Sequence, residues 1–300
     1  MIVILNCGAG ASTQKNGSSR DQIARLFAAA GANVQIVEPD GARDVSSLAI
    51  EAAKSSEEMI VAAGGDGTIS SVAAHLADTG KRLGVLPIGT LNHFAKDLHI
   101  PLDLEEAVRT TIDGRVESVD AAEVNGRVFI NNSSLGIYPQ IVAKREAQQE
   151  RLASGKWPAF LWATMHALRR FPFMNLRIST DEQQLVRKTA FLFVGNNEYE
   201  IAGLNLGARS CVNKGKLGLY LTHRTGRWGL FRLGLHALFG RVDQAADFDA
   251  FCVQEAHIES RQPRLLVARD GEVEWMETPL HYRTRRNALR VLVPRDHALP

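Results

Sequence analysis

Five consecutive residues, Gly64-Gly65-Asp66-Gly67-Thr68, bring together three glycines, a carboxylate and a hydroxyl. Glycine reaches positive φ without steric cost and lets a ligand come close to the backbone, so successive N–H groups can gather round an anion. The run lies between an apolar stretch, Met59–Ala63, and a segment in which Ile69, Val72, Ala73 and Leu76 fall at i, i+3, i+4 and i+7. Strand, glycine turn and amphipathic helix in that order predict a phosphate cradle at a helix N-terminus. Bare phosphate would repel the Asp66 carboxylate. Its presence makes sense if it meets Mg2+ on a nucleotide or takes a proton from an attacking hydroxyl.

A second turn of the same kind follows the next apolar run. In Leu86-Pro87-Ile88-Gly89-Thr90-Leu91-Asn92-His93, Gly89-Thr90 again opens a predicted helix. Ligands of open α/β sheets bind beyond the carboxyl ends of strands, so two such turns can face one ligand, and the pattern predicts a nucleotide cleft.

The elements that must position these turns alternate through the first 120 residues. Strand-like Ile2–Asn6, Val34–Val37, Met59–Ala63 and Leu83–Leu86 are interleaved with helix-like Asp21–Ala30, Asp44–Ala53 and Ile69–Ala77. That rhythm predicts βαβ units and a parallel sheet. After Asp120 the pattern turns to paired runs, Ala122–Val124 and Arg127–Asn131, about Asn125-Gly126, a strong hairpin signal. We place an α/β domain over residues 1–124, with residues near 288–300 able to pack back on it, and a mainly β domain over 125–287. The second part begins with a helical stretch over about 139–170. Strand-like runs then recur at Leu176–Thr180, Thr189–Val194, Leu217–Thr222, Ala256–Ser260 and Leu265–Ala268, and Leu289–Val293 closes the chain.

Composition narrows the classes of function. With 300 residues, 45% of them hydrophobic and 23% charged, the chain exceeds one compact core and does not read as disordered. The longest uncharged apolar-looking stretch, Trp157–Leu168, is too short for a membrane-spanning helix. The opening Met1–Asn6 lacks the basic n-region of a secretory signal, and Cys7, Cys211 and Cys252 fit neither a disulfide framework nor a zinc pattern. The expected compartment is therefore the cytoplasm. Residues 1–126 carry net −7 and residues 127–300 net +9, which marks the second part as the one to meet something anionic, a membrane surface, a phosphate or nucleic acid. No nucleic-acid reader motif is present, and no nucleic-acid partner is expected.

The residues resemble the diacylglycerol kinase catalytic-domain family, bacterial lipid kinases related to sphingosine and ceramide kinases. The resemblance rests on Gly64–Thr68, on Leu83–Asn92 with Phe94 and Ala95, on Asp120, on Asn131–Gly136 and on Asp270-Gly271-Glu272. It implies a nucleotide-binding α/β domain of NAD-kinase and phosphofructokinase type, a β-sandwich-like second domain, and ATP with Mg2+ as phosphate donor. By motif match, Gly64, Gly65, Asp66, Gly67, Thr68, Gly89, Thr90 and Asn92 would hold the nucleotide. Asp66 would serve metal or base, Glu272 would be the general base, and Asp120 matches a further acidic position. The acceptor implied is a lipid hydroxyl at a membrane surface, reached by peripheral contact with the inner face. Self-association is left open.

The chain also departs from the family pattern. His93 stands where aspartate is common, and Ser70-Ser71 where asparagine and glutamate are. His93 either binds phosphate when protonated or caps a helix start. At Asn213-Lys214-Gly215-Lys216 the acidic run of a structural Mg2+ site is missing, so no structural metal is expected there. Lys156–Phe171 and Arg224–Arg241 combine aromatics with positive charge, the composition either of membrane-facing surface or of core helix. Two other readings remain. Asn196-Asn197-Glu198 and the glycine motif suit an NAD kinase, and the departures suit a non-catalytic nucleotide or lipid sensor.

Overall fold

A computed structural model describes residues 1–7, 19–136, 139, 173–202, 205–209, 214–222 and 248–296. The chain forms two compact units. The first is Met1–Asn131 with Cys211–Gly215 and Arg285–Pro300, and the second is Asn132–Ser210 with Lys216–Thr284.

In the first unit, strands β1 (Ile2–Leu5), β2 (Gln35–Val37), β3 (Met59–Gly64) and β4 (Arg82–Pro87) lie in the order β2-β1-β3-β4, every neighbouring pair parallel. They are linked by α1 (Ser19–Ala29), α2 (Val45–Lys54) and α3 (Asp66–Leu76). Helices α4 (His93–Asp97) and α5 (Leu104–Asp113) follow, then the antiparallel pair β5 (Arg115–Val124) and β6 (Arg127–Phe129). Alternate side chains sort to the two faces. Ile4, Ile60, Ala62 and Val85 join Val72 and Leu76 of α3 in one core, while Val3, Leu5, Val61 and Leu86 join Ile23 and Phe27 of α1 in the other. A sheet buried on both faces is why its strands read as unbroken apolar runs. Asp44 caps α2 and Asp103 caps α5, each accepting from a backbone N–H three residues on. At Asn125 and Gly126 φ is +48° and +77°, the two positive values that a tight two-residue hairpin requires.

The second unit holds β7 (Asn132–Gly136), β8 (Met174–Thr180), β9 (Gln184–Thr189), β10 (Phe191–Asn196), β11 (Tyr199–Ala202), β12 (Asn205–Arg209) and β13 (Leu217–Thr222). It continues through β14 (Phe248–Val253), β15 (Glu255–Ser260), β16 (Arg264–Arg269), β17 (Glu272–Glu277) and the start of β18 (Leu280–Val293). One antiparallel sheet runs β14-β13-β10-β7-β16-β17, and another runs β18-β15-β8-β9. A buried hydrogen bond of 3.0 Å between Ser133 Oγ and Tyr282 Oη joins β7 of the one to β18 of the other. Burial holds the Tyr282 phenol well above its ordinary pKa, so it stays a neutral hydroxyl. The last part of β18 belongs to the first unit, where Arg290 and Val291 pair in parallel with Arg82 and Leu83 of β4.

The run Thr189–Val194, expected as one strand, is two. β9 ends at Thr189 and β10 starts at Phe191, with Thr189 Oγ1 bonding the Phe191 carbonyl at 2.8 Å across the break. The helix expected over about 139–170 lies outside the described residues from 140 onward, as do Lys156–Phe171 and Arg224–Arg241. Among the described residues no helix is long and apolar enough to cross a membrane.

Candidate active site

In the first unit, β3 and β4 are in register to their ends, with Gly64 opposite Pro87, so the turns that follow them emerge side by side. The approach is close enough to dictate residue type. A Cβ on Gly89 would stand 2.4 Å from Gly65 Cα, and one on Gly64 would stand 2.5 Å from Thr68 Cβ, so neither position accepts a side chain without displacing backbone. Gly67 is different, because a Cβ there would meet nothing within 4 Å. Packing does not require glycine at that place. The missing side chain leaves the first turn of α3 open to whatever approaches it.

That turn has donors to offer an anion. Gly65 is the N-cap of α3 and supplies no side-chain cap, so the leading N–H groups and the positive end of the helix dipole are available to a phosphate. Thr68, at 7% exposure, has its hydroxyl fixed by Asn6 Nδ2 at 3.0 Å from the end of β1. Asp66 is half-buried, and its Oδ1 is buried without a hydrogen-bond partner. A buried carboxylate oxygen in that state calls for a proton or a cation. Mg2+ on a nucleotide is commonly held by one or two carboxylates together with phosphate oxygens, so the residues present fit it.

The second turn is held by Asn92, which has φ +52° and is 4% exposed. Its Oδ1 accepts from Gly89 N–H at 3.1 Å, and its Nδ2 donates to the carbonyls of Pro87 at 3.2 Å and Gly89 at 2.9 Å. The carboxamide is thus occupied in shaping the loop, while Thr90 and His93 are exposed beside it. His93 is the first residue of α4, and Ser70, further along α3, has a buried Oγ without a partner.

Asp120 lies on β5 at 2% exposure. Its Oδ2 accepts from Gly215 N–H at 2.6 Å and its Oδ1 from Asn287 N–H at 2.9 Å. This carboxylate therefore ties to β5 two segments that are far away along the chain. Lys214 and Lys216 flank the clamp and are exposed, while Asn213 lies outside the described residues.

In the second unit, Asp270 and Gly271, with φ of +46° and +92°, turn β16 into β17 and put Glu272 first on the returning strand. The turn is pinned to β7. Asp270 N–H donates to the Asn132 carbonyl at 2.9 Å, and Asp270 Oδ1 accepts from Asn132 N–H at 3.0 Å. Two motifs read separately in the sequence, Asn131–Gly136 and Asp270–Glu272, thus meet in one piece of structure. The Glu272 side chain is 67% exposed and 3.9 Å from Arg269, whose guanidinium is committed to Glu274 at 2.5 and 2.9 Å. The Glu272 carboxylate remains accessible to accept a proton. Sequence reasoning missed the Arg269–Glu274 pair, whose signal is cross-strand proximity near a two-residue turn.

Comparison with known proteins bears on this arrangement directly. Residues 1–124 match the family described as "Diacylglycerol kinase catalytic domain", and residues 135–293 match "YegS C-terminal NAD kinase beta sandwich-like domain". The chain belongs to the diacylglycerol kinase catalytic-domain family, with a YegS-type second domain. A Pectobacterium atrosepticum protein named "Probable lipid kinase YegS-like" is 30% identical over 61% of this chain and 62% of its own length. A Staphylococcus haemolyticus protein named "Diacylglycerol kinase" is 34% identical over 53% of this chain and 48% of its own. The matched stretch is thus less than two-thirds of either relative. A crystal structure titled as a diacylglycerol kinase from Bacillus anthracis covers 97% of this chain with a TM-score of 0.67 at 20% identity, and covers 96% of that protein. Yeast NADH kinase, at 12% identity and a TM-score of 0.55, covers 97% of this chain and 81% of its own. These two likenesses establish the fold, one that diacylglycerol and NADH kinases share. Within the family's frame, the first unit offers an uncapped helix N-terminus between glycine turns with one half-buried carboxylate, and the second offers an accessible carboxylate on a pinned hairpin.

Proposed function

We propose that this chain is an ATP-dependent lipid kinase that transfers the γ-phosphate to a hydroxyl of diacylglycerol or a similar lipid. The observation that carries the reading is the uncapped N-terminus of α3, set against the Gly89 turn with the unpartnered Oδ1 of Asp66 beside it. Gly64, Gly65, Gly67, Thr68, Gly89 and Thr90 bind the ATP phosphates, and Asn92 keeps the second turn in shape. Mg2+, held by Asp66, would neutralise charge on the phosphates. Glu272 accepts the proton of the lipid hydroxyl as its oxygen bonds to the γ-phosphorus. The bond from that phosphorus to the β-bridging oxygen breaks, and ADP leaves. Phosphoryl transfer asks the protein mainly for alignment and charge stabilisation, which backbone donors and two carboxylates supply. Asp120 supports the site by fixing chain segments. The protein works on the cytoplasmic side in peripheral contact with the membrane, its positive second part toward anionic lipid.

An acceptor competition separates this reading from an NAD kinase. The protein is supplied with labelled ATP, Mg2+, vesicles containing diacylglycerol, and NAD in the same tube. Label in a phosphorylated lipid is the expected result, and label in NADP alone would overturn it. Tight ATP binding with no labelled product would make the chain a sensor.

A further inference from the structure

On the two adjoining strands β15 and β18 of the second unit, one face is wholly buried, with Ala256, Ile258, Leu280 and Tyr282 each at 0% exposure. The opposite face of the same segment gathers Glu255, His257 and His281. His257 and His281 are direct cross-strand partners, and Glu255 lies two residues before His257 on the same side. Their ligand atoms all lie within 4.8 Å of one another. His281 Nε2 is 2.5 Å from Glu255 Oε1, His257 Nε2 is 3.9 Å from it, and the two imidazoles stack with centroids 4.2 Å apart.

We propose that Glu255, His257 and His281 form a binding site for a divalent transition metal ion, with Zn2+ as the ion of best fit. Two imidazoles and one carboxylate are a ligand set that Zn2+ accepts while keeping a further position open, and Mg2+ prefers oxygen alone. The backbone is preorganised because both strands are anchored by their buried face, so binding need only move side chains. His281 exchanges its hydrogen bond to Glu255 for the ion, and the rings turn out of their parallel stack so that each nitrogen points at it. The side chains are 37 to 49% exposed. The ion would clip β15 to β18. Arg283, the cross-strand partner of Glu255, places a positive charge beside the site and holds its affinity down.

The test is titration of the EDTA-treated full-length protein with ZnCl2 by calorimetry, with MgCl2 in parallel, and thermal unfolding at each metal concentration. Zn2+ is expected to bind and to raise the unfolding midpoint, and Mg2+ to do neither. His257→Ala and His281→Ala should each weaken binding at least about tenfold, while Arg283→Gln should strengthen it. His257 is exposed and His281 partly so, and circular dichroism of each variant verifies the fold. Absence of Zn2+ binding by the native chain, or binding of equal affinity in the double variant His257→Ala/His281→Ala, would overturn the proposal.

Discussion

Asp66 and Glu272 are carboxylates in different surroundings, and the proposed function gives them different work. One has a buried oxygen without a partner in the first turn of a helix, and the other is open to solvent on a hairpin. Glu272→Gln removes a proton acceptor and should lower kcat by about 10² to 10⁴ with the KM for ATP nearly unchanged. Steady-state kinetics at saturating lipid would check that split. Asp66→Asn should weaken ATP binding measured with Mg2+ and leave binding measured in EDTA almost unaffected. Asp66 was readable because glycines about a carboxylate are an unusual local pattern, whereas Glu272 was picked out only by the family resemblance. The work of Asn92 and Asp120 was not readable. The three bonds made by Asn92 depend on its left-handed backbone, and the partners of Asp120 lie 95 and 167 residues away.

Elements decide where such side chains stand within each unit. Gly89→Ala puts a methyl group 2.4 Å from Gly65 Cα and must spread the two turns. A loss of stability of about 1 to 3 kcal/mol is expected, together with a raised KM for ATP, whereas Gly67→Ala, with open space around it, should keep stability. Chemical denaturation with parallel ATP titration distinguishes the two. Asp120→Asn tests the clamp. A carboxamide can accept on only one side, so one of the two N–H groups would face a donor, at a cost of about 1 to 3 kcal/mol visible as a lower unfolding midpoint. The strand, turn and helix from Met59 to Leu76 were legible because apolar spacing and glycine punctuation agreed. β17 was not among the expected strands, since half of Glu272–Glu277 is charged and only Met276 in it is buried.

For the whole molecule, the parallel sheet of the first unit and the antiparallel sheets of the second follow from the change of rhythm near Asn125-Gly126. The return of the chain's end to the first unit was expected near residue 288, but the place of Leu289–Val293 beside β4 was not, because nothing local names the strand that it joins. Truncation after Thr284 would withdraw Ala288, Leu289, Val291, Leu292 and Val293, all at 4% exposure or less, from the first unit. Burial of each of the larger ones contributes about 1.5 to 3 kcal/mol. The truncated chain should therefore lose cooperative unfolding by circular dichroism, although every glycine-motif residue remains. The measurement closest to the central claim is the initial rate at which labelled phosphate passes from ATP into diacylglycerol vesicles, for the native chain and Glu272→Gln side by side. Labelled lipid from the native chain and a rate lower by about 10² or more in the variant is the predicted result. No labelled lipid from the native chain, or equal rates from both, would contradict it.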